Sequence, residues 1–359
     1  MIELSPSYQR ARTAFLTAAQ VKGYAIENNL LEGYRGIDDE LLYCDIARKG
    51  QSGNKKCMVI SSGLHGVEGY CGSAVQHQLL EQALLENLPS NISVILIHAF
   101  NPYGFSFSKR VNENNIDMNR NFIDFSQSIA LDTDIKEFNE TVFPREWQGA
   151  HLSEVFESVY QYRNDRGVAQ LQTVLTGGQY HYPQGIFYGG ESPQWTRNLW
   201  DKVCHELASE FDSVVHIDIH TGLGENGDCE LMYLGANQDT VKDYVIDWFG
   251  RDIVKIPGQA GSTSKPISGH LASHLDNFNI DNIAIALEFG TQDIDHVLVS
   301  LINDSWLQAN PDCDDIERKR IIQTVRDAFM TQSDEWQTRV WEQSKQFVEQ
   351  AIAGLSAIK

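Results

Sequence analysis

Two nearly uninterrupted apolar runs, Lys56–Ser61 (KCMVIS) and Ile92–Ala99 (ISVILIHA), set the tightest limit on how this chain folds. A strand with apolar residues on both faces has to be covered on both, which is the pattern of a parallel sheet's interior. Between the two runs, Val75, Leu79, Leu80, Ala83 and Leu84 recur at helical spacing within Gly69–Leu88, and Pro89 closes the segment. Strand, helix, strand is the connection that parallel neighbours need. Ser213–Ile219 and Ile283–Leu287 repeat the buried-strand pattern later in the chain. The fold class expected is therefore α/β, with a mixed, largely parallel central sheet flanked by helices.

Around these strands the chain reads as an amphipathic opening segment over Tyr8–Asn28, a further strand over Glu40–Ala47, and two long excursions, Ile123–Arg197 and Leu223–Leu275. The excursions are rich in Gly, Asn, Gln and aromatic residues. Ligand crevices of such sheets lie outside the carboxyl ends of the strands, so the excursions are expected to wall a site there. The tail differs, with helix-spaced apolar residues (Ile316, Ile321, Val325, Phe329, then Trp336, Val340, Phe347, Ile352) that predict two helices. The expected organisation is one α/β domain over 1–310 with insertions at about 123–197 and 223–275, and a C-terminal helical extension over 311–359 packed on the core.

Composition narrows the function. A formal net charge of -21, without any Lys/Arg run, argues against a phosphate-backbone partner. No stretch approaches the ~18 consecutive apolar residues of a membrane span. The opening MIELSPSYQRARTAF has no basic-then-apolar secretory pattern, and six scattered cysteines without a CxxC pair fit reduced thiols, so a cytoplasmic protein is expected.

Polar residues interrupt the apolar strands where chemistry is expected. His65 and Glu68 follow the first run at a spacing that lets imidazole and carboxylate converge, a donor pair used by catalytic zinc. His216, Asp218 and His220 alternate onto one face of a later strand. His216 reads as satisfied within the sheet, whereas His220, at the strand's mouth before Thr221 and Gly222, is placed to complete a set of two His and one Glu. Glu288 ends the last apolar strand, where burial raises a carboxylate toward the range useful for proton transfer.

Further motifs fall in order: Asn101–Phe105 (NPYGF), Arg110, and Asp117–Phe122 (DMNRNF). HxxE after one strand, NPYGF after the next, Arg, DxNRNF, a strand-end His and a strand-end Glu together resemble the carboxypeptidase A-like zinc metallopeptidases, over roughly residues 55–122 and 213–291. The succinylglutamate desuccinylase and aspartoacylase branch is similar too. The resemblance implies one zinc per chain on His65, Glu68 and His220, Glu288 as general base and acid, and Arg110 against the developing oxyanion. It implies Asn119 and Arg120 on a substrate carboxylate, with Asp117 accepting a hydrogen bond from His65. The implied substrate is a peptide; the alternatives are an N-acyl amino acid, or a non-catalytic binding role on the same fold. Arg120 is expected to meet substrate rather than Asp124. No substrate-capping tyrosine aligns, although Tyr180, Tyr182 and Tyr188 are candidates. Pro257–His270 is a candidate pocket wall, and the pair His270 and His274 reads as structural for want of an HExxH glutamate.

Overall fold

A computed structural model gives the fold, describing residues 1–82, 84–86, 88–142, 152–235, 243–259, 261–262 and 267–358. Parts of both excursions and of the Pro257–His270 stretch lie outside the described residues.

Eight strands form one sheet: β1 (Ala25–Arg35), β2 (Leu41–Lys49), β3 (Lys56–Ser62), β4 (Ile92–His98), β5 (Ser213–Thr221), β6 (Cys229–Tyr233), β7 (Val254–Lys255) and β8 (Asp281–Phe289), in the order β1-β2-β4-β3-β5-β8-β6-β7. The four central strands β4, β3, β5 and β8 are mutually parallel. Antiparallel pairs flank them, β1 on β2, β2 on β4 and β6 on β8. The apolar runs thus lie in the interior of the sheet, and the mixed, largely parallel architecture is as the sequence implies.

Alternation along each central strand divides the core. Met58, Ile60, Ile217, Ile219, Ile285 and Leu287 face one layer. There they meet helices Tyr8–Val21, Gly69–Glu81 and Asp334–Ala357, which contribute Phe15, Leu79 and Val348. The opposite face carries Val59, Ile95, Ile97 and Val214 and is covered by helix Trp195–Glu210 through Trp200, Val203 and Leu207. Nearer its rim this second face is not apolar. His216, Asp218 and His220 alternate along β5, and Glu288 stands beside His220 in the parallel register.

Three strands, β1, β6 and β7, are absent from the sequence reading. The amphipathic opening segment is a helix as far as Val21, after which Gly23 (φ 74°) turns the chain into β1. β1 is mostly exposed and lacks both the apolar run of a buried strand and a clean alternation, so its sequence gave no strand signal. β6 and β7 lie inside the second excursion, as short strands of five and two residues, with β7 at the edge of the sheet. The crossover helix after β3 ends at Glu81, seven residues short of the predicted Leu88. The tail forms the two expected helices, Asp315–Phe329 and Asp334–Ala357.

The turn out of β3 is built on a contact that excludes any side chain. A Cβ on Gly66 would lie 2.0 Å from the carbonyl carbon of Gly104 and 2.2 Å from the nitrogen of Phe105, both backbone atoms. This packs the His65–Glu68 turn directly on the NPYGF helix Pro102–Phe107. Gly66→Ala is expected to force the two backbones apart and destabilise the protein by ~2 kcal/mol or more, read as a fall in urea midpoint. An unchanged midpoint would show that the turn is free to move.

Candidate metal centre

The β3 turn is a single 3-10 turn, Gly66–Glu68, with His65 at its start and Glu68 at its end. Its spacing swings both side chains toward the mouth of β5. His65 Nδ1 lies 2.8 Å from Glu68 Oε1, and His220 Nδ1 lies 2.9 Å from Glu68 Oε2. Ligand atoms of all three residues fall within 4.8 Å of one another, and all three are buried. These residues can hold a metal ion.

Each imidazole is fixed from behind. His65 Nε2 meets Asp117 Oδ1 at 3.2 Å, and His220 Nε2 meets Asp218 Oδ2 at 2.6 Å. With a metal bound, Nε2 protons donated to those carboxylates would leave both Nδ1 atoms as lone-pair donors aimed at one point, the arrangement that sets the tautomer of metal-binding histidines. Asp218 is held in turn by the Ser61 hydroxyl, which donates at 2.6 Å. That hydroxyl has one proton, so the 2.7 Å contact from His216 Nε2 to Ser61 Oγ is a donation by the imidazole. His216 thus serves the sheet, as its sequence position implied, and burial pushes its pKa down to about 4. The sequence does not single out Asp218 as the partner of His220, because a carboxylate two residues before the His on the same strand face reads equally well as sheet polarity.

Charge in the cluster is balanced in opposite ways for two neighbouring carboxylates. Burial alone would raise Glu68, yet the imidazoles of His65 and His220 hold it below the usual carboxylate range. Burial, reinforced by the charge of Glu68, pushes Glu288 up to about 8. Its Oε1 accepts a hydrogen bond from the Leu223 amide at 3.1 Å. Burial likewise opposes the ionisation of Asp117, but Arg110, Arg120 and His65 outweigh it and hold its carboxyl well below the normal value.

Arg110 joins the two sides of the cluster. Its Nε donates to Asp117 Oδ2 at 3.0 Å and its Nη1 to Glu68 Oε1 at 3.4 Å. Asn119 accepts the Leu271 amide at its Oδ1 (3.0 Å), which leaves its NH2 as the group for a ligand. Arg120 is buried and donates to the carbonyls of Asn119 (3.0 Å) and Thr176 (2.6 Å), while its Nε has no partner. The alternative partner Asp124 instead binds Ser126 and Gln127, so Arg120 is not neutralised there. Arg110, Asn119, Arg120, Glu288 and the three metal-site residues line one cavity.

The three tyrosines of the glycine-rich loop do not line that cavity. The Tyr180 hydroxyl donates to the Arg120 carbonyl at 2.7 Å, and the Tyr188 carbonyl accepts the Asp117 amide at 2.8 Å, so these two pack the loop on the site. The aromatic of this loop that reaches the cavity is Phe187, whose ring has the Arg110 guanidinium 4.9 Å and the Arg120 guanidinium 5.4 Å from its centroid. It does so with φ at 55°, a left-handed conformation rarely adopted by a bulky residue. Nothing in the sequence distinguishes Phe187 from its neighbours. His274 turns away to Asp201, whereas His270 caps a short helix through Ser273 and borders the cavity.

The fold and site define a class: an α/β protein with a buried His–Glu–His cluster, able to hold a metal ion, at the carboxyl edge of a mixed sheet. The chain belongs to the family described as protein of unknown function (DUF2817), whose model matches residues 4–343. No curated protein matches it. Among solved structures it is similar to a candidate metallopeptidase of Shewanella amazonensis (15% identity, 86% of this chain and 96% of that one, TM-score 0.46). It is also similar to carboxypeptidase A of Helicoverpa armigera (12%, 91% and 74%, 0.47) and succinylglutamate desuccinylase of Chromobacterium violaceum (15%, 87% and 76%, 0.40).

The raised Glu288 has a consequence for the metal-free protein. From an ordinary 4.5 its pKa rises to about 8 on folding, so the folded state holds a proton that the unfolded state has lost between those values. That stabilisation is complete below pH 4.5 and is lost as pH rises through about 8. Glu288→Gln cannot ionise, so the metal-free variant is expected to melt higher than the parent at pH 8–9, by several degrees, and equally near pH 4. Parallel melting profiles across that range would refute the assignment.

Proposed function

We propose that this protein is a zinc-dependent hydrolase of an amide bond in a substrate that carries a free carboxylate. The observation that supports this best is the juxtaposition of the His65, Glu68 and His220 donor atoms with a second carboxyl, Glu288, placed on the neighbouring strand in register with His220. Two imidazoles and one carboxylate, with both imidazoles backed by carboxylates, form the donor set of a catalytic zinc with an open position. Zinc held there would supply a Lewis acid and bring the pKa of water at the site to about 7.

The chain's own groups do the rest. Glu288, protonatable near neutrality, takes a proton from the attacking water and passes it to the departing amine. Arg110 faces the oxygen on which negative charge develops, its guanidinium already oriented by Asp117 and Glu68. Arg120 and the NH2 of Asn119 receive the substrate carboxylate. A cation without an acidic hydrogen-bond partner and with an unsatisfied buried Nε favours a ligand anion at that end of the cavity. A purely binding role would leave the raised Glu288 without use.

Metal analysis and turnover test this reading together. One zinc per chain is expected, with His65→Ala and His220→Ala losing both metal and activity; full zinc occupancy in either would remove that residue from the ligand set. Glu288→Gln is expected to keep zinc and lose roughly 10²–10⁴-fold in kcat. Arg120→Lys is expected to retain zinc and lose the preference for free over amidated carboxylates, since a lysine does not reproduce the bidentate fork. Equal cleavage of both substrate types by the unaltered protein would point to an endopeptidase or amidase.

A further inference from the structure

The cavity changes character past Glu288. The Phe329 ring lies against Gly222, where a Cβ would fall 2.9 Å from the ring and 3.9 Å from Glu288 Oε1, and the Phe329 carbonyl is tied to the Thr221 hydroxyl at 2.7 Å. Beyond it the wall is formed by Val297, Leu298 and Leu301 of helix Ile294–Ala309. A second cavity continues outward, sharing Gln172, Leu223, Ile294 and Leu298 with the first. The two form one arm between helix Val168–Thr176 and helix Ile294–Ala309.

The arm's chemistry is one-sided. On its inner stretch, among the described side chains, Gln172 and Thr176 are polar, and the Thr176 hydroxyl is already donated to the Gln172 carbonyl of its own helix. At its outer rim Gln292 is polar and exposed, and the charges Arg163 and Asp295 are paired with each other at 3.1 Å. Apolar side chains stand in water beside that pair: Val168 is 54% exposed and Ile294 37%. A peptide drawn along the arm would strip its amides of water against aliphatic walls, an unfavourable exchange. A hydrocarbon chain carries no such groups, and it would cover the walls and the exposed rim alike.

We propose that the substrate is an N-acyl amino acid whose acyl group is an unbranched hydrocarbon chain. Its amino-acid carboxylate lies at Asn119 and Arg120, its amide between Arg110 and Glu288, and its chain along the arm. The proposal rests on the amide-hydrolase reading above and adds the acyl class. One water adds across the bond: its oxygen joins the acyl carbon, the C–N bond breaks, and the amine leaves with that electron pair and gains both water protons. The products are a fatty carboxylate and a free amino acid as its ammonium form. Helix Val168–Thr176 borders the arm for roughly 12 Å at 1.5 Å per residue, the reach of about eight to ten methylenes.

The test uses the full-length zinc-loaded protein and acetyl, hexanoyl and decanoyl amides of leucine, phenylalanine, glutamate and lysine, alongside tripeptides ending in the same residues. For the amino acid cleaved best, kcat/KM is expected to rise about two- to fourfold per methylene toward decanoyl, and the tripeptide to fall below the decanoyl amide. The double variant Ile294→Asp with Leu298→Asp, at positions that are exposed and half-buried, is expected to cut the decanoyl-to-acetyl ratio at least tenfold. A flat or falling chain-length series, a preference for tripeptides, or an unchanged ratio in the variant overturns the acyl-chain proposal and leaves the amide-hydrolase reading standing. Absence of turnover across the whole panel with zinc bound overturns both.

Discussion

Glu68 lies between two imidazoles in a buried pocket, and most of the rest of the site is arranged to make that placement tolerable. Its two oxygens are each within 2.9 Å of a histidine Nδ1, and the Thr221 amide adds a third contact at 3.1 Å. An ionised carboxylate out of water needs such partners, because the alternative is protonation. The same charge acts on Glu288, which has a single amide donor and is pushed the other way. Two carboxyl groups in one cleft, one held ionised and the other kept protonatable, provide a ligand and a proton carrier from the same residue type.

The histidines transmit this constraint into the scaffold. Asp218 behind His220 is on the same strand, so the sheet fixes it directly. Asp117 behind His65 is on a loop, and its position depends on more contacts: the Tyr188 carbonyl holds its amide, Arg110 holds one carboxylate oxygen, and its other oxygen caps the turn that carries Asn119 and Arg120. The first excursion therefore does more than surround the cleft. Phe187 supports both guanidiniums, the Thr176 carbonyl accepts from that of Arg120, and the Tyr180 hydroxyl holds the Arg120 backbone carbonyl. Gly178 makes room for this, since a Cβ there would fall 2.6 Å from Arg120 Cδ.

The tail has a similar double part. Its helix Asp315–Phe329 packs on the core through Ile321 and Val325, as the spacing implied, and it also delivers the Phe329 ring beside Gly222 and the cavity. Helix periodicity reports which face of a segment is apolar. It carries no information about which residue of that face reaches the site, since this depends on where the helix docks.

What the sequence by itself determined is whatever is encoded by local order along the chain. Apolar runs on both faces specified the parallel strands β3, β4, β5 and β8, and polar residues at their ends specified His65, Glu68, His220 and Glu288. A buried strand tolerates a charge only where the sheet meets a cleft. Strands toward the sheet's margins escaped this logic, because β1 is mostly exposed and β6 and β7 span only five and two residues. The tertiary structure alone decided the pairing of Asp218 with His220, the freedom of Arg120 from Asp124, the two guanidiniums on Phe187 and the apolar arm beyond Phe329. Each of these depends on distances between segments far apart in sequence, and those distances are fixed only when the layers of the fold pack together.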